Sequence, residues 1–153
     1  MTVADNLRKL CLGTVQFGLD YGIANTSGKI VQSEVFEILR YAAAQGIDCL
    51  DTASVYGDSE RVIGAFLKES PANFKVISKW VAESGQLDPV KRIENQLRHT
   101  LQDLNLESLD GYLVHHFHDF RNHEAAWTAF AKLKQQGLIR SIGFSLYKLE
   151  DLE

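Results

Sequence analysis

Gly46-Ile47-Asp48-Cys49-Leu50-Asp51-Thr52-Ala53 is the stretch on which the fold turns. Ile47 to Leu50 reads as a strand, and Asp51 stands as an acid at its carboxyl end. Upstream, Ser33 to Ala44 has helical spacing, with Val35, Phe36, Leu39 and Ala43 on one face. Ser33 is the expected N-cap of that helix and Gly46 its stop. Downstream, Ser59 to Lys68 is helix-like, with Val62, Ile63, Phe66 and Leu67 apolar, and Phe74 to Ile77 is again a strand.

The same unit continues outward. Leu10-Cys11-Leu12 is a strand ahead of Gly13-Thr14. Asp88-Pro89 opens a long helix in the favoured order of cap and first residue, with Ile93, Leu97, Leu101 and Leu104 as its buried stripe. Leu109 to Val114 is a fourth strand, Glu124 to Gln135 a helix ended by Gly137, and Leu138 to Phe144 a fifth strand. Leu146 to Glu153 begins another helix. Regular alternation of strand and helix implies a parallel sheet with helical crossovers. Two architectures fit: an open doubly wound sheet, or part of a (β/α)8 barrel, which takes ~250 residues when complete.

The polar residues separate them. Asp51, Lys79, His115 and Ser145 follow the second to fifth strands in turn. Both architectures place function beyond the carboxyl ends of strands, but an open sheet concentrates such groups at its switch point. A polar group at each consecutive strand end fits a barrel mouth. The fold class expected is therefore α/β, a partial (β/α)8 TIM barrel of about the first five strands, as one domain over residues 1–153.

Composition sets bounds on function. The 153 residues are 45% hydrophobic and 24% charged, ordinary values for a globular domain, and the net charge of -4 gives no nucleic-acid footprint. No signal peptide opens the chain, and no apolar stretch approaches the ~18 residues of a membrane span. Cys11 and Cys49 lie inside apolar runs, which reads as two buried free thiols in a reducing compartment, with a redox pair as the alternative. These features point to the cytoplasm. Neither GxGxxG after the first strand nor GxxxxGK[ST] occurs; Gly13, Gly18 and Gly22 are too widely spaced and read as turn glycines.

Five segments, in order, resemble the aldo-keto reductases. Leu12 to Gly18 (LGTVQFG) is similar to that family's opening strand. Gly46 to Ala53, with Val55-Tyr56-Gly57 and Ser59-Glu60, resembles its most recognisable signature. Ile77-Ser78-Lys79-Trp80 is similar to its lysine motif, Asp110 to His115 to its histidine motif, and Gly137 to Ser145 to its fifth-strand motif. The resemblance implies an oxidoreductase that reduces aldehyde or ketone carbonyls with NADPH. It implies a catalytic tetrad of Asp51, Tyr56, Lys79 and His115, with Asp51 and Ser145 also touching the cofactor.

The chemistry gives each group a task. Hydride arriving at a carbonyl carbon puts negative charge on its oxygen, which must meet a proton donor. The resemblance makes Tyr56 that acid. A lysine beside it favours the tyrosinate left behind, and Asp51 holds and neutralises Lys79. His115 orients the carbonyl by a hydrogen bond. Hydride has to come from a cofactor, since no side chain supplies one.

Each residue also has a structural reading: Asp51 as a loop residue, Tyr56 as a half-buried aromatic, Lys79 as solvated, His115 as a hydrogen-bonded core group. The cluster His115, His116, His118, Asp119 and His123 suggests metal ligands. Neighbours on one strand point to opposite faces, however, so His115 and His116 share a site only across a bend, and no metal is expected. Trp80 and Phe117 either line a substrate pocket or pack against helices, the latter being favoured.

Two departures matter. Leu146 follows Ser145 where many members of the family carry asparagine, so only the serine is carried over. The later strands, which in the family bind adenosine and phosphates, are not in this sequence. The expectation is the N-terminal half of a barrel, incomplete as an enzyme and prone to self-association through open edges. The alternatives are a non-catalytic nucleotide-binding or regulatory relative, or an inert fragment.

Overall fold

The computed structural model describes residues 9–70, 72–82, 88–117 and 124–152. Five strands alternate with helices: β1 (Leu12–Gly13), α1 (Val15–Gly18), α2 (Gln32–Ala44), β2 (Cys49–Asp51), α3 (Ser59–Glu69), β3 (Lys75–Trp80), α4 (Pro89–Leu104), β4 (Leu109–Val114), α5 (Glu124–Gln135) and β5 (Ile139–Phe144). A 3-10 turn, Leu149–Leu152, stands where the sequence predicts the start of a helix.

All four strand pairings are parallel, and the sheet order is β1-β2-β3-β4-β5. That order never reverses. A doubly wound sheet must reverse to send helices to both faces, so the sheet is a barrel segment and has no switch point.

The sheet's two faces differ in chemistry. Leu50, Val76, Ser78, Trp80, Tyr112 and Val114 are buried. All but Ser78 pack with the apolar stripes of the helices, including Ile93, Leu97 and Leu104 of α4 and Phe130 of α5, in one continuous core. Trp80 and Tyr112 both rest on the Phe130 ring, at 5.9 and 5.4 Å between centroids. The packing reading of Trp80 is therefore the correct one. Phe117 sits edge-on to Phe144 of β5, 5.2 Å away, so its recorded ring contact is with a strand residue and not with a helix. Period-two alternation puts Cys49, Asp51, Ile77 and Lys79 on the other face.

Two glycines allow close backbone approach. A Cβ at Gly64 would collide with the Asp103 carbonyl, so α3 can lie against the end of α4 only with glycine there. Gly18 is also a close-packing position, not the turn glycine expected: a Cβ there would collide with the Tyr56 carbonyl.

Other differences are local. Helix α2 is capped two residues earlier than expected, at Val31 and with no side-chain hydrogen bond, so Ser33 is not the N-cap. Asp88 does cap α4, its carboxylate accepting from the Val90 N–H at 2.7 Å. Cys11 is exposed and Cys49 half-buried, which corrects the expectation of two buried thiols. Among the described residues no helix is long and apolar enough to cross a membrane.

Candidate active site

The rim at the carboxyl ends of the strands is built first by hydroxyls. Ser59, at the start of α3, donates to the Thr14 carbonyl at 3.0 Å and lies 3.0 Å from the Thr52 hydroxyl. Thr14 in turn donates to the Asp51 carbonyl at 2.9 Å. All three hydroxyl residues are fully buried. Buried polar groups that are all paired fix geometry, and these tie the ends of β1 and β2 to the first turn of α3.

Asp51 is the last residue of β2, and Lys79 lies inside β3 instead of after it, because that strand runs on to Trp80. Lys79 is 5% exposed. A buried ammonium needs partners for its three N–H groups. Lys79 Nζ has three: the Asp51 carboxylate, the Thr52 carbonyl at 2.9 Å and the Tyr56 hydroxyl at 3.4 Å. The same Nζ lies 5.0 Å from the centre of the Tyr56 ring.

Tyr56 sits on the turn between β2 and α3. Gly57, in the left-handed region at φ 56°, lets that turn close over Gly18. His115 follows β4, its N–H donating to the Trp80 carbonyl at 2.8 Å. Its ring meets Tyr56 edge-on at 5.8 Å. Asp51, Tyr56, Lys79 and His115 therefore gather at one rim. Ser145 takes the next strand end, held there by its N–H to the Val114 carbonyl at 2.9 Å.

The sequence reading missed several neighbours. A cavity of about 470 Å³ opens beside Tyr56 and His115, and Tyr21, Val55, His116 and Tyr147 line it too. His116 shares the cavity because the chain bends as β4 ends, and its ring stacks on His115 at 4.7 Å. The rule that neighbours on a strand diverge does not hold past the last strand residue. Tyr147 lies parallel to His115 at 6.4 Å. Partial burial, and next the electrostatic influence of neighbouring Tyr56, push the Tyr147 hydroxyl above tyrosine's ordinary range. Nothing in the pattern around Tyr147 signals that it folds back over the rim.

The described residues contain no group of three or more potential metal ligands, and His118, Asp119 and His123 of the expected cluster lie outside them. The cavity lining carries aromatic and aliphatic faces and neither lysine nor arginine. Such a lining suits a small uncharged organic group and offers no cation to a phosphate.

Comparison with known proteins agrees with the geometry. The chain is 30% identical to aldo-keto reductase family 1 member A1 of Xenopus tropicalis, over 82% of this chain and 45% of that protein. It is also 30% identical to the methylglyoxal reductase DkgA of Escherichia coli, over 95% of this chain and 50% of that one. Among solved structures it is similar to PA4992 of Pseudomonas aeruginosa, a protein assigned to the aldo-keto reductases. There the TM-score is 0.77 and the identity 29%, over 92% of this chain and 56% of the other. The chain thus spans about half the length of the relatives it matches. The model of the aldo/keto reductase family matches residues 9–153, and the chain belongs to that family.

Proposed function

We propose that the chain carries the proton-donating half of an NADPH-dependent carbonyl reductase acting on small aldehydes or ketones. The observation that supports this most is the environment of Lys79, whose ammonium joins the Asp51 carboxylate to the Tyr56 hydroxyl. The phenol completes the three partners of the buried ammonium, and that same contact sets a cation beside a hydroxyl that borders the cavity.

The cofactor, when bound, supplies the hydride. The remaining work falls to the chain. His115 donates a hydrogen bond to the substrate carbonyl and fixes its oxygen near Tyr56. Tyr56 gives its hydroxyl proton to that oxygen as negative charge develops there. Lys79, 3.4 Å away, stabilises the phenolate left on Tyr56. Asp51 keeps the ammonium aimed, and the buried hydroxyls of Thr14, Thr52 and Ser59 keep Asp51 in place. Ser145 contacts the carboxamide end of the nicotinamide. The adenosine and phosphate contacts come from the half of the barrel that this chain's relatives possess beyond the match. The two free thiols fit a cytoplasmic setting.

The test joins residues 1–153 to the C-terminal half of a relative and follows NADPH oxidation with a panel of aldehydes. Aldehyde-dependent oxidation is expected. Tight NADPH binding without turnover on any member of the panel would instead identify a nucleotide-binding relative without catalysis.

A further inference from the structure

Beneath the Asp51–Lys79 pair lies chemistry that carbonyl reduction does not use. Cys49 and Asp51 are two apart on β2 and so share a face. Cys11 directly precedes β1, one step before the Leu12–Leu50 register pair, which puts it opposite Cys49. The two sulfurs are 2.7 Å apart, with Cys11 donating to Cys49, and both are free thiols. Cys11 is exposed, so small oxidants reach the pair. Adjacent strands lie ~4.8 Å apart, inside the ~4.4–6.8 Å window of Cα separations that a disulfide spans.

We propose that Cys11 and Cys49 form a reversible oxidation site, which a peroxide converts to an intrachain disulfide clamping β1 to β2. Cys11 is exposed as a residue, but its sulfur is partly withdrawn from water against Cys49. That desolvation, and next the hydrogen bond to Cys49, hold its thiol protonated, above cysteine's ordinary range. Cys49, which accepts that hydrogen bond, reacts first. Its sulfur attacks one peroxide oxygen, the O–O bond breaks, and sulfenic acid and water form. The Cys11 sulfur then attacks the Cys49 sulfur, its proton leaves with the displaced hydroxide as a second water, and the S–S bond closes. Two thiols are oxidised by two electrons and one peroxide is reduced to two waters.

The location gives the clamp its effect. β1 has two residues, stands at the edge of the sheet, and is paired to β2 by two register pairs. It is the strand a cross-link secures most, and Thr14 behind it anchors the hydroxyls that hold Asp51. The site is independent of the reductase reading, because it needs neither cofactor nor turnover.

Intact mass, peptide mapping and thermal unfolding of the 153-residue chain test it, before and after stoichiometric hydrogen peroxide. The expected product has lost two hydrogens, yields one peptide pair joined through Cys11 and Cys49, and returns to the starting mass with dithiothreitol. Closing a loop between residues 38 apart raises Tm by on the order of 10 °C. Cys11→Ser abolishes the cross-link and the Tm rise, leaving Cys49 as a sulfenic acid that dimedone traps. A chain whose two thiols stay reactive after peroxide would overturn the proposal. So would oxidation of each sulfur separately to sulfinic acid, or a disulfide found only between chains.

Discussion

Residues with unusual surroundings lie on both sides of the sheet, and only one side belongs to the rim. Glu60 is 5% exposed, on the helix side of β3, and accepts from Ser78 at 2.5 Å and Thr100 at 3.2 Å. Burial raises its carboxyl above the usual range, against the opposing pull of those two hydroxyls. As pH rises, the unfolded chain therefore gives up this proton before the folded one does. The contribution to stability is complete below the unfolded value and is lost as pH climbs through the folded one. Glu60→Gln keeps the hydrogen-bonding shape without a charge. It should raise Tm at neutral pH by ~2–4 °C, the equivalent of about 1 kcal/mol, and flatten the fall of Tm with rising pH. Thermal unfolding from acid to mildly alkaline pH checks this; an unchanged slope would mean that Glu60 is ionised in the fold. In the sequence Glu60 reads only as part of a signature beside Tyr56, because burial of an acid by residues 18 and 40 positions away leaves no local pattern.

At the scale of elements, β4 and α5 have the ends read from their apolar spacing and from Gly137. β3 is longer than its apolar run because Ser78 and Lys79, though polar, find partners on opposite faces. Strand pairing outweighed side-chain polarity there. The first turn of α2 went the other way: Ser33 looks like a cap, but the helix starts from Val31. Helix α1 was missed entirely, since four residues carry no periodicity. Its glycine nevertheless supports the site. Gly18→Ala would push against the Tyr56 carbonyl and the backbone nitrogens of Asp58 and Ser59. Overpacking of this kind typically costs about 1–3 kcal/mol. The urea midpoint of Gly18→Ala should drop accordingly, while Gly13→Ala, with nothing within 4 Å of the added Cβ, should leave it nearly unchanged. Equal midpoints for the two variants would show that the Tyr56 turn yields freely.

For the whole molecule, the barrel reading rested on polar groups at successive strand ends, and the unreversed strand order supports it independently. That Asp51, Lys79 and His115 lie together was legible because a barrel brings consecutive strand ends together whatever the details of packing. Tyr56, on a turn, was singled out only by the family resemblance. Tyr147 and the second histidine were not legible, because their positions depend on how the chain bends after a strand ends. β5 is an edge of the five-stranded sheet, and open parallel edges recruit further strands. The 153-residue chain by itself should therefore self-associate on size-exclusion chromatography. It should also bind NADPH weakly, since affinity arises from many contacts minus a large ordering cost and this cavity offers none for phosphate. A stable monomer with micromolar affinity in a fluorescence titration would place more of the cofactor site on these five strands.

The central claim is that the half-barrel aims Tyr56 as a proton donor from the Asp51–Lys79 pair. Its most direct test is Tyr56→Phe in the chain completed with a relative's C-terminal half, measured as kcat for aldehyde reduction alongside the NADPH dissociation constant. Phenylalanine keeps the ring and its edge contact with His115 but has no proton to give. A fall in kcat of roughly 10²–10⁴-fold is predicted, with cofactor affinity unchanged. Turnover near that of the unsubstituted protein would contradict the account and assign the proton to another group.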